Sequence, residues 1–100
     1  METMRAIRQP PVALRVSYDR AVDVLHLAAG EPSAVEGEGL ACGVELDFSV
    51  DDGRPCGVTV LGYHRHGWSE RLADLATIVG RHLSLSPGDV AGAIRQHLAG

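Results

Sequence analysis

Residues 40–63 read Leu-Ala-Cys-Gly-Val-Glu-Leu-Asp-Phe-Ser-Val, then Asp-Asp-Gly-Arg-Pro, then Cys-Gly-Val-Thr-Val-Leu-Gly-Tyr. Val44 to Val50 alternates apolar and polar, the period of a half-buried strand. Asp51-Asp52-Gly53 is turn chemistry, with glycine free to take a positive φ. Val58, Thr59 and Val60 are β-branched and suit a second strand. The stretch predicts a β-hairpin, and its loop length decides which side chains share a face. A two-residue loop at Asp52-Gly53 sets Leu46 opposite Thr59 and turns Val58 and Val60 away from the apolar row. A three-residue loop, Asp51 to Gly53 with a bulge, pairs Val50 with Arg54, Phe48 with Cys56, Leu46 with Val58 and Val44 with Val60. Only this register puts Val44, Leu46, Phe48, Val58 and Val60 on one face, so it is the one expected.

Working outward, Val12 to Tyr18 alternates with Leu14, Val16 and Tyr18 on one face and predicts a first strand. Asp19-Arg20-Ala21 is a tight connection in which the Asp19 carboxylate can accept from amides two or three residues on. Val22 to Ala29 predicts a second strand, antiparallel to the first, with Leu25, Leu27 and Ala29 opposite Val24 and His26. Gly30 to Gly39 reads as a solvated loop, with room for a short edge strand around Ala34–Val35. Beyond the hairpin, Ser69 is the expected helix cap, with Glu70 in the first turn. Leu72, Leu75, Ala76, Val79 and Leu83 form one apolar stripe at helical spacing. Gly80 either permits close packing or ends that helix early. Ser86-Pro87-Gly88-Asp89 starts a second helix, with Val90, Ile94 and Leu98 as its stripe. The expected fold is α+β: a four-stranded antiparallel meander followed by two C-terminal helices packing on it. It is a single domain over 1–100, with 1–11 a flexible lead-in, 12–66 sheet and 69–99 helical.

Apolar residues make up 45 % of the chain and charged residues 22 %, ordinary for a globular protein of 100 residues. No apolar run approaches the roughly 20 residues of a membrane-spanning helix, and residues 1–11 lack the apolar stretch of a secretory signal. All nine basic residues other than His are scattered Arg and the formal charge is −4. That balance argues against nucleic acid as a partner, a local cluster of Arg65, Arg71 and Arg81 being the one opening for it. With no Lys there is no Schiff-base chemistry. In the expected register Cys42 lies opposite Gly62 and Cys56 opposite Phe48, roughly 20 Å apart along the strands. A disulfide needs Cα atoms within about 7 Å, so two free thiols and a cytoplasmic setting are expected.

Two stretches resemble a known family. Tyr18-Asp19-Arg20-Ala21-Val22-Asp23-Val24-Leu25-His26-Leu27 is similar to the Tyr-Asp-x-x-x-Asp-x-Leu-Tyr-Ile opening of a small prokaryotic family, the domain of unknown function 2283. Gly43 to Leu61 resembles its Val-x-x-Asp-x-Asp-x-x-Gly-x-x-x-Gly-x-Glu-x-Leu half. The resemblance covers residues 14–66. His26 stands where the family usually has an aromatic residue and Thr59 where it often has Glu. The family carries no established activity, so the resemblance implies a fold and no catalytic residue.

Three constellations remain. His64 and His66, two apart, would share a strand face and could ligate one divalent metal, with His26 or Asp23 completing the set. Against that stands the reading of both as surface histidines. Asp19, Asp23, Glu45 and Asp47 are candidates for acid–base work, or else turn stabilisers and the wet face of a strand. Leu61, Tyr63, Val24 and His26 fall on the face opposite the core and form a mixed patch suited to self-association. Gly-x-Ser-x-Gly and phosphate-binding glycine motifs are absent. The expectation is an interaction or regulatory module without enzymatic activity or cofactor, a homodimer or a partner of another protein. The alternative is a small metal- or ligand-binding protein, enzymatic or not, using His64, His66 and nearby acids.

Overall fold

The computed structural model describes residues 14–30 and 34–99; the expected lead-in at 1–11 lies outside them. Five strands, β1 (Leu14–Asp19), β2 (Val24–Ala29), β3 (Val35–Gly39), β4 (Val44–Ser49) and β5 (Pro55–Leu61), precede two helices, α1 (Leu72–Leu83) and α2 (Pro87–Ala99). The sheet is antiparallel with order β1-β2-β5-β4-β3. The α+β class is as expected, but the four-stranded meander is not. The Gly- and Glu-rich stretch 35–39 forms a full edge strand on β4, so β4 cannot also neighbour β2, and β5 pairs with β2 instead.

Val44 faces Val60 and Leu46 faces Val58, as expected. Near the turn the register differs. Ser49 N donates to Arg54 O at 2.8 Å and Gly53 N to Ser49 O at 2.8 Å, so the loop has four residues, Val50 to Gly53. Phe48 therefore faces Pro55, not Cys56, and Cys56 is the extra residue of a bulge. A four-residue loop alone would flip every side chain of β5 to the other face; the bulge restores the alternation. Phe48 still looks toward the helices, its ring 5.0 Å from that of His82 in α1.

Leu25, Leu27, Val44, Val58 and Val60 meet Leu75, Ala76 and Val79 of α1 and Val90, Ala91 and Ile94 of α2 in one core. The apolar stripes of both helices are thus those read from their spacing. The helix start is not: Trp68–Glu70 forms a 3-10 turn containing Ser69, and α1 begins at Leu72 without a side-chain cap. Gly80 sits inside α1 because α2 begins against it; a Cβ there would lie 2.6 Å from Leu85 O. Trp68 is buried and its Nε1 donates to Cys42 O at 2.9 Å, tying the 3-10 turn to the approach of β4.

Candidate functional site

With the core on one face of the sheet, alternation sends Arg15, Ser17, His26, Ala28, Glu45, Asp47, Gly57, Thr59 and Leu61 to the other. That face holds a groove of about 400 Å³ to which all five strands contribute: Arg15 and Ser17 from β1, His26 and Ala28 from β2, Val35 from β3, Asp47 from β4, Cys56 and Gly57 from β5. Neither helix lines it. Asp47 lies at its floor and is only 2 % exposed.

A hydrogen-bonded chain crosses the floor. Thr59 Oγ1 donates to Asp47 Oδ2 at 2.8 Å, and His26 Nδ1 lies 3.0 Å from the same hydroxyl. An ionised carboxylate only accepts, so the single Thr59 proton points to Asp47. The hydroxyl must then accept from His26, which places the ring proton on Nδ1 and leaves Nε2 as a free lone pair in the neutral imidazole. His26 and Thr59 are cross-strand partners.

The order of this chain sets its chemistry. In a nucleophilic triad the histidine stands between hydroxyl and carboxylate and draws the hydroxyl proton away. Here the hydroxyl stands in the middle, donating to one neighbour and accepting from the other, so no base frees it for attack. Cys56 offers no thiolate either: burial, then the charges of Asp47 and Asp52, push its pKa up.

A second carboxylate lies close to Asp47, outside the lining itself. Glu45 folds over β3: its side chain occupies the place a Cβ on Gly37 would take, and Gly37 is the cross-strand partner of Asp47. Gly57 is required on the other side, because a Cβ there would lie 2.7 Å from Leu27 O. Arg15 turns its guanidinium to Gly30 O at the rim. From the helix side, His82 Nε2 lies 2.9 Å from Asp47 O, the strand carbonyl beside the bulge.

The other candidates separate. β5 ends at Leu61, and residues 62–67 are turns, so His64 and His66 do not share a strand face; both are exposed. His64 packs edge-on against Tyr18 and Tyr63, with ring centroids 5.6 and 4.9 Å away. Among the described residues no three of His, Cys, Asp and Glu converge as metal ligands. Tyr63 was expected on the open face but is 1 % exposed, because Gly62, at φ 74°, turns the chain off the strand and into the core. Val24, His26 and Leu61 do share the open face; Val24 and Leu61 are cross-strand partners and Leu61 is 46 % exposed.

Asp23 has a structural role. It takes φ 59° in the β1–β2 turn; its Oδ1 accepts from Tyr18 Oη at 2.7 Å and His64 N at 2.9 Å, and its Oδ2 from Arg65 N at 3.0 Å. Those amides, the His64 one foremost, hold its pKa down at about 2. Asp19 accepts from Ala21 N at 3.0 Å, as a turn Asp does. Asp47 and Glu45 were visible as acidic residues of one strand face; the link through Thr59 to His26 was not, since it depends on β5 lying beside β2. No protein-family model, curated protein or solved structure matches this chain.

Proposed function

We propose that the protein is a non-enzymatic binding module of regulatory type that takes a small ligand in the groove of its open sheet face. One observation carries this: a cavity shared by all five strands, floored by a buried carboxylate that is wired through Thr59 to a histidine of defined tautomer. Fixed polar groups at the bottom of an apolar-walled depression orient a ligand, and the engaged hydroxyl and protonated thiol supply no nucleophile. The two free thiols accord with a cytoplasmic setting, and we keep the resemblance to the prokaryotic family on the residues quoted above. A fragment set screened by NMR should give hits whose amide shifts gather at His26, Ala28, Asp47 and Gly57; hits gathering on the helical layer would sink the reading.

A second reading is homodimerisation through the same face, favoured by the pairing of Val24 with the half-exposed Leu61. Light scattering should then show a dimer that Leu61→Glu converts to a monomer of unchanged fold. A wild-type monomer at high concentration would remove this reading and leave the groove untouched.

A further inference from the structure

We propose that the groove receives a small organic cation, a primary ammonium or a guanidinium, an inference that rests on the groove being the binding site. Asp47 is almost wholly buried, yet among the described residues only one donor, Thr59, reaches its carboxylate, at Oδ2. Among the described residues Oδ1 has no hydrogen-bond donor. A carboxylate accepts along about four lone-pair directions, and a buried charge is costly until it is paired and hydrogen-bonded. A ligand bearing both positive charge and N–H groups meets both demands.

The surroundings select the same chemistry. His26 Nε2 has no partner among the described residues and, with Nδ1–H given to Thr59, adds an acceptor to the lining. The Glu45 carboxylate lies over Gly37, beside Asp47, and adds a second negative charge. Among the described residues Arg15 is the one Arg in the lining, and its guanidinium is engaged by Gly30 O. An anionic ligand would meet the Asp47 carboxylate, with the Glu45 charge close behind the lining. A bare metal ion would find too few ligands, since no three metal-binding side chains converge among the described residues. At about 400 Å³ the cavity has room for a short carbon chain on the cation, against Ala28 and Val35.

The test is a titration of ¹⁵N-labelled protein with n-butylammonium, butylguanidinium, n-butanol and butyrate. The two cations should shift the amides of His26, Ala28, Asp47 and Gly57 and saturate at about millimolar concentration, while the alcohol and the acid leave them in place. Asp47→Asn should weaken the cations by about tenfold or more, with circular dichroism confirming its fold. Glu45→Gln, on a half-exposed side chain, should give a smaller loss and serves if D47N does not fold. Butanol or butyrate shifting these amides as strongly as the cations would overturn the cation inference while leaving the groove a binding site. Silence from all four would overturn both.

Discussion

Asp23 holds three donors with one side chain, and the pH dependence of that arrangement can be worked out. Its ordinary pKa is 3.8 and the folded value is about 2. The folded state therefore favours the charged form, and the stabilisation is present in full above 3.8 and lost as pH falls through about 2. Asp23→Asn should melt below wild type at neutral pH, and the two melting curves should converge toward pH 2 in a series of thermal scans. A gap that stayed constant with pH would mean that the carboxylate charge contributes nothing. The two thiols differ at the same scale. Cys42 is exposed, whereas Cys56 is partly buried with its pKa raised. Iodoacetamide at neutral pH should label Cys42 first, with Cys56 lagging, as peptide mass spectrometry would show. Of the acidic candidates, the turn role of Asp19 was legible because it is local. Asp23 binding the 62–65 turn was not, because its partners are distant in sequence.

Helix α1 ends in a way that yields opposite predictions for neighbouring positions. Ser84 takes φ 59°, its N–H reaching Gly80 O, and Leu85 N donates to the same carbonyl at 2.9 Å. A non-glycine residue in the left-handed region is strained by roughly 1 kcal/mol. Ser84→Gly should therefore stabilise the protein by about 0.5–1 kcal/mol in urea unfolding, although glycine is a poor helix former. Gly80→Ala should do the reverse: a better helix former, but its Cβ would press on Leu85 O, a backbone atom that cannot swing aside. A loss of about 1–3 kcal/mol is expected. The helices themselves were legible, since each stripe follows from spacing alone. The start of α1 was not: Ser69 has the chemistry of a cap, but Trp68 is anchored to Cys42 O, and the first turn winds as a 3-10 segment before the helix begins. The hairpin shows the same division. The facing of Leu46 and Val58 followed from matching apolar side chains, whereas loop and bulge each shifted by one and cancelled, which side-chain patterning does not register.

At the scale of the whole molecule, the last strand in the chain is the central strand of the sheet. β5 pairs with β2 on one side and β4 on the other, so it joins the β1–β2 hairpin to the β3–β4 pair and carries the floor of the groove between them. Sequence reading missed this because neighbours in sequence usually pair and because 35–39, rich in Gly and Glu, has Val35 as its one strand-forming residue and read as at most a short edge strand. The topology sets a gradient of stability across the sheet. Val60 is wholly buried between Leu25 and Val44, while Val35 on β3 is 48 % exposed. Val60→Ala should cost about 2–4 kcal/mol, and Val35→Ala within about 0.5 kcal/mol. Native-state hydrogen exchange should rank the strands in the same way, with β2 and β5 amides opening only in global unfolding and β3 amides exchanging by local fraying. Because Asp47 pairs with β3 through Gly37 and with β5 through Gly57, the floor of the groove straddles the boundary between the most and least protected strands. A ligand bound there should slow exchange in β3 more than in β5, since only β3 has local openings left to suppress; equal slowing in both would mean that the edge strand is already as firm as the centre.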